Sequence, residues 1–342
     1  MKKAVFVVII SIFAANLMAG PPNIELVKGE NRIDVVIAGE PFTSYLYGSD
    51  LTKPLLVPVR TPSGIEVSRR FPLTSVEGGS TDHEHHVGIF FAVDQVNGVN
   101  FWKNTSISPQ IRHMEIIEMA GGAGTGKLST VSHWIDDKQQ VLLEERRTMA
   151  FLAGENENEN AIDLSIDLTA KCPRIVFEDI EEGMFATRVS DYLRESDPEI
   201  SPQPGRPLPA ESLSGTGRYF SSNGDETAKN VWGKRARWVA LQAVRQGKVV
   251  GVAILNHPAS INYPTYWHAR NYGLFSANPL GQADFQRQQP AKFRKNKVMP
   301  LRLTLEQGET VHFRFLVIVY EGFRTSEQIE QRFRKFASVK GD

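Results

Sequence analysis

The sequence predicts an all-β protein, one large antiparallel sandwich with a single helix near its C-terminal end. Two alternating stretches carry this reading. Ile162, Leu164, Ile166, Leu168 and Ala170 alternate with Asp163, Ser165, Asp167 and Thr169, the period-2 pattern of a half-buried strand. Val311, Phe313, Phe315, Val317 and Val319 repeat the pattern. The third observation is spacing. Strand-like runs recur with short turns and few helical runs between them, which favours a sandwich over an α/β fold.

In chain order, residues 1–19 read as a cleaved leader: Lys2 and Lys3 precede an uncharged, mostly apolar run from Ala4 to Leu17, and Ala19 offers a small residue at the cut. The run is too short for a comfortable transmembrane helix. A periplasmic or secreted protein is expected, with residues 20–342 as one domain. Strands are expected at Ile33–Ala38, Thr43–Tyr47, Gly88–Val93, Val141–Phe151, Met184–Val189, Arg237–Gln242 and Val249–Leu255. Gly121 to Lys127 fits G-x-x-x-x-G-K, but Leu128 stands where a phosphate loop needs Ser or Thr, so a hairpin turn is expected.

Glu155 to Asn160 alternates Glu with Asn and reads as a solvated hairpin loop. Asp197 to Gly217 holds Pro198, Pro202, Pro204, Pro207 and Pro209, and is either a lid or a surface excursion. Leu301–Leu305, the turn Glu306–Glu309 and the strand from Val311 predict a hairpin. Thr325 with Gln328 makes a capping box, and Ile329, Phe333 and Phe336 share one helical face. That helix is expected to pack across the end of the sandwich.

Composition excludes several classes. Lys+Arg and Asp+Glu are both 39, so the formal net charge is zero and a nucleic-acid binder held by phosphate neutralisation is not expected. The single cysteine, Cys172, rules out an internal disulfide and any CxxC metal site. After the leader, no run is apolar enough for integral membrane association.

The densest chemistry is Thr81-Asp82-His83-Glu84-His85-His86, which holds three of the eight histidines and precedes an apolar strand. At a sheet end, His83, His85 and His86 could ligate a divalent metal, act as proton donors with an orienting carboxylate, or form a hydrogen-bonded structural turn. Trp232, Lys234 and Arg235 interleave an indole with cations, a pattern suited to sugar faces and anionic groups. His257, Tyr266, Trp267, His268 and Arg270 continue it, and Glu182 could supply a carboxylate. Burying so many polar groups unpaired would be costly, so the His83–His86 turn, Lys234 and Tyr266–His268 are expected to converge on one open cleft.

Five segments then carry a family resemblance: Asp82–His86 with Gly88, Val96–Trp102, Leu143–Thr148, Trp232–Ala236, and Asn256–Pro258 through Tyr266–His268 to Asn278-Pro279. Together they resemble the bacterial exported family labelled "methane oxygenase PmoA-like", treated as a domain of unknown function. The match runs from about Tyr45 to Glu321. The resemblance implies a carbohydrate context, polysaccharide degradation included, and, by analogy of fold, a supersandwich like that of galactose mutarotase. Its label implies a membrane methane-oxidising subunit, which a chain without a membrane span does not support.

The resulting expectation is an exported carbohydrate-active enzyme acting on glycosides or oxidised sugars by His/carboxylate acid–base chemistry. His83, His85, His86, His268 and Glu182 are the candidate catalytic groups. Trp232, Lys234, Arg235, His257, Tyr266, Trp267, Arg270 and Asn278 are the candidate substrate contacts. A non-catalytic carbohydrate-binding protein is the alternative, and a His-ligated metal oxidoreductase the third. Mass spectrometry of the protein from its native host is expected to find a chain beginning near Gly20; an intact Met1 contradicts the leader.

Overall fold

A computed structural model describes residues 20–195, 215–288 and 298–339. The leader and the Pro-rich stretch from Asp197 up to residue 214 lie outside them. The first strands are β1 (Asn23–Gly29), β2 (Arg32–Ile37), β3 (Glu40–Leu46), β4 (Leu55–Leu56), β5 (Ile89–Val93), β6 (Gln110–Ala120), β7 (Gly122–Ala123) and β8 (Thr125–Ile135). Then come β9 (Val141–Ala153), β10 (Glu159–Ala170), β11 (Arg174–Phe177), β12 (Gly183–Arg188), β13 (Arg218–Ser221), β14 (Trp238–Arg245) and β15 (Lys248–Asn256). The last are β16 (Tyr266–Ala269), β17 (Leu274–Asn278), β18 (Leu303–Glu306) and β19 (Thr310–Glu321). Helices are α1 (Ala228–Val231), α2 (Gln282–Gln288) and α3 (Ser326–Ser338). Every expected strand is present, its ends moved by a few residues.

Among the described residues two sheets face each other. One has the order β16-β17-β12-β5-β4-β3-β2-β1-β7, the other β13-β14-β15-β19-β10-β9-β8-β6. All their pairings are antiparallel. The two alternating stretches are neighbours: Ile162 faces Val317, Leu164 faces Phe315 and Ile166 faces Phe313. Their inward rows meet the other sheet, with Phe185 stacked on Phe315 at 4.6 Å and Phe91 against Phe313 at 5.4 Å. Apolar burial between the sheets supplies the main driving force for this closure.

The helix α3 has the expected capping box but lies on the outer face of the second sheet, not across the end of the sandwich. Leu316, Ile318 and Tyr320 point outward from β19 and pack with Ile329, Phe333 and Phe336. Apolar residues on both faces of β19 required a cover there. The Glu155–Asn160 loop, expected to be merely solvated, helps dock this helix. Glu155 pairs with Lys335 at 2.9 Å and with Arg332, and the buried Glu159 carboxylate forms an ion pair with Arg332 at 3.0 Å.

Gly121 to Lys127 is the expected hairpin turn, since β6 and β8 pair antiparallel around it and no helix follows. The hairpin of β18 with β19 does not form. After the turn at Gly308, β19 pairs with β10, while β18 swings away and pairs with β11. The Lys171-Cys172-Pro173 bend breaks β10 from β11 at the same level, so the two chains leave the large sheet together.

One ion pair sits inside the sandwich. Glu145 and Arg147, two apart on β9, share its inner face; Glu145 accepts from Arg147 Nε at 2.8 Å and from Trp134 Nε1 at 2.9 Å. Both charged side chains are buried. Arg147→Met leaves the carboxylate without its cation and is expected to lower stability by about 3–5 kcal/mol in urea unfolding. Adding Glu145→Gln should recover most of that loss, and a double variant no better than the single contradicts the account.

Candidate functional site

Sheet register builds the site. Gly88 precedes β5, and its φ of +55° together with Leu56 O at 2.4 Å from any added Cβ leaves room for glycine alone. Arg188 ends β12 and its N–H donates to Gly88 O at 2.9 Å. Arg188 also pairs in register with Leu274, which follows Tyr272 by two residues. The histidine turn, Arg188 and Tyr272 are thus drawn to one end of adjacent strands.

The turn is organised by buried guanidiniums. Arg69 donates to Asp82 O at 2.7 Å, His83 O at 2.8 Å and His86 O at 2.9 Å. Asp82 Oδ1 accepts from Arg188 at 2.8 Å and Arg69 at 3.3 Å. Its other oxygen lies 2.5 Å from His83 Nδ1. Burial pushes the Asp82 carboxyl up, but the His83 hydrogen bond and the two arginine charges outweigh it and hold the acid down at about 2. An ionised carboxylate only accepts, so Nδ1 of the neutral ring carries the proton and Nε2 keeps its lone pair. The His83 side chain is 41% exposed.

Behind His83 stands a ring stack. Tyr272 lies 4.7 Å from it at 10°, His86 lies 5.2 Å away at 3°, and Phe90 follows His86 at 6.0 Å. Arg188 sits 4.8 Å from the Tyr272 ring centroid. Burial pushes the His86 ring well below the usual imidazole range, and burial with the Lys53 charge pushes His85 down to about 3. Both rings are therefore neutral supports rather than proton carriers. Of the three readings open for these histidines, the divalent metal fits least: two of the three rings are stacked face to face, one nitrogen is taken by Asp82, and no group of three or more donors that could hold a metal occurs among the described residues.

A second group approaches from β16 and β17. Arg270 Nε donates to His268 Nε2 at 2.8 Å, so the other ring nitrogen donates to Glu181 O at 3.0 Å. Burial and the adjacent Arg270 charge push His268 down to about 3. With both nitrogens engaged, His268 holds Arg270 in place. It does not carry protons. Asn278 is likewise saturated, donating to Ile180 O and Glu181 O and accepting from Leu280 N at 2.9 Å. Glu182 lies beyond, paired with Lys103 at 3.1 Å. Trp232, Tyr266 and Phe285 form a small buried floor, with Arg270 over Trp232 at 5.4 Å and Arg235 over Tyr266 at 4.8 Å.

The two groups act on each other. Burial pushes the Tyr272 hydroxyl up to about 12, and charges from both groups act on it, Arg270 and Glu182 from the second and Arg188 and Asp82 from the first. Three expected contacts are taken up by other partners. Trp267 is fully buried and donates its Nε1 to Ala236 O at 3.0 Å. His257 lies against α3, its Nε2 3.1 Å from Val339 O and its ring against Phe336. Lys234 is engaged by Asp225.

Residues 32–334 match the family described as "Family of unknown function (DUF6807)". The chain belongs to this family. That match overturns the PmoA-like expectation, for which no comparison gives support. The segments that suggested it include fold determinants, such as Phe101 and Trp102 in the core and the buried Glu145–Arg147 pair. No curated protein matches the chain.

Solved structures similar to this DUF6807 chain include a polysaccharide lyase, with 9% identity, TM-score 0.37, and coverage of 93% of this chain and 35% of that one. The galactosidase domain of an alpha-galactosidase-sucrose kinase has 11% identity and TM-score 0.39, covering 87% and 42%. The chain thus spans well under half the length of both. Galactose 1-epimerase from Lactobacillus acidophilus has 10% identity and TM-score 0.38, covering 89% and 100%. No described helix of the DUF6807 chain is long and apolar enough to cross a membrane.

Sequence reasoning passed over Lys53, Arg69 and Arg188 as site residues. Arg188 had a weak signal, a cation closing an apolar strand; Lys53 had none. Lys53 is buried, donates to Asn104 Oδ1 at 2.9 Å and Trp102 O at 3.2 Å, and burial pushes it down to about 7. Below pH 7 the folded protein bears the full cost of that buried charge. Between pH 7 and the ordinary lysine range the unfolded chain binds the extra proton, so stability rises with pH. Relative to wild type, Lys53→Met is expected to be more stable at pH 6 than at pH 9. Parallel melting-temperature curves contradict the assignment.

Proposed function

We propose that this protein is an exported carbohydrate-active enzyme that acts on glycosides or oxidised sugars by acid–base chemistry, with His83 as its base. The observation that carries the reading is the Asp82–His83 pair: an anchored carboxylate 2.5 Å from Nδ1 of an exposed imidazole, a placing that favours the Nδ1–H tautomer with the lone pair on Nε2. That is what removal of a proton from a sugar hydroxyl or an activated C–H requires. Glu182 is the second polar group facing the reacting sugar, with Lys103 orienting it. Arg270 binds substrate oxygens, and the Trp232–Tyr266 floor holds it and Arg235 in place. His85, His86 and His268 support this arrangement as neutral rings.

The test is turnover of a panel of aryl glycosides and uronides by the purified mature chain. His83→Gln is expected to lower kcat about 10²–10⁴-fold with little change in KM, because the ring acts on the reacting atoms. Asp82→Asn, which lets the ring adopt the other tautomer, should lose a similar factor. A wild type that binds sugars but turns none of them over contradicts the enzyme reading and favours a binding protein. An active wild type whose His83→Gln variant keeps full kcat contradicts the assignment of the base.

A further inference from the structure

We propose that the cavity on the far side of Arg69 is a distal sugar subsite, so that the substrate is an oligosaccharide rather than a monosaccharide. The proposal rests on the carbohydrate reading above and specifies its substrate class.

The cavity measures about 400 Å³, within the range of roughly 300–1,000 Å³ found for small-molecule sites. It lies between the segment 64–81, Asp191-Tyr192 and the turn at Arg245-Gln246. Its lining suits a sugar ring. Phe71, with Arg69 5.6 Å from its ring centroid, and Tyr192 are half-buried aromatic residues of the wall and supply apolar surface for the C–H side of a pyranose. Arg245 sits over Tyr192 at 5.4 Å and has no carboxylate partner among the described residues, so its donors are free for hydroxyl or carboxylate oxygens. Ser75 and Thr81 add hydroxyls.

Position ties the cavity to the base. Ser80 and Thr81 line it and lead directly into Asp82 and His83. Asp191, on the opposite wall, accepts from Ser80 N at 2.7 Å and Ser80 Oγ at 2.6 Å, which fixes that wall. Arg69 lines the cavity too, and the same guanidinium holds the carbonyls of Asp82 and His83. A glycan seated on Phe71 and Arg245 that extends past Thr81 reaches His83 with its next units. Binding there adds affinity remote from the reacting bond, so its loss should show in KM for longer substrates.

The experiment is titration calorimetry of the mature protein with xylo-, cello- and galacturono-oligosaccharides of one to four units. In the series that binds, affinity is expected to rise at least about 10-fold from one unit to three. Arg245→Ala and Phe71→Leu, with thermal midpoints near wild type, should abolish that gain and leave monosaccharide affinity unchanged. Affinity independent of length, or a gain that survives both variants, overturns the subsite while leaving the assignment of His83 intact. Binding of none of the three series overturns the subsite and the carbohydrate reading together.

Discussion

Two guanidiniums buried at one end of the sandwich fix the chemistry of this protein. A buried cation is costly unless its donors are met, and Arg69 meets most of that demand with the carbonyls of Asp82, His83 and His86, its Nε lacking a partner among the described residues. Arg188, with no exposed side-chain surface, takes the Asp82 carboxylate and the face of Tyr272. The turn therefore has little freedom to rearrange. A loop that would otherwise be a flexible string of histidines becomes a fixed edge with one usable nitrogen.

The sandwich makes that fixation possible by register. Thr187 on β12 faces Ile89 on β5, and Arg188 faces Leu274 on β17. Residues 98 and 86 positions apart in sequence are thereby held at neighbouring strand ends. Glu181 shows the same economy from the other side. Its carbonyl accepts from His268 and Asn278, and its carboxyl, raised to about 7 by burial despite the Arg270 charge, lies 3.3 Å from that guanidinium. Packing thus determines which ionisable groups are supports and which face solvent.

Much of the architecture was legible because strand burial leaves a period-2 record, as in Ile162–Ala170 and Val311–Val319. Less legible was anything decided by which face of an element is covered. Leu316, Ile318 and Tyr320 could have announced that β19 is buried on both sides, and so that α3 must lie on the sheet. The β18–β19 hairpin misled for a related reason: a good turn at Gly308 fixes the bend but not the partner of each arm. At the site, the histidine turn stood out by composition. Its division into one open ring, one half-buried and one buried did not, since the burial of His86 depends on the stack with His83, Tyr272 and Phe90. His257 and Trp267 looked alike in sequence to His268 and Arg270, yet strand alternation and the docking of α3 send them elsewhere.

The central claim is that Asp82, held by Arg69 and Arg188, fixes His83 with a protonated Nδ1 and a bare Nε2. Long-range nitrogen–carbon NMR correlations of ¹⁵N-histidine-labelled protein at about pH 8.5, where imidazoles are ordinarily neutral, read the tautomer directly. The account predicts the Nδ1–H form for His83, lost in Asp82→Asn. An Nε2–H ring in the wild type, or an averaged mixture of both forms, would contradict it.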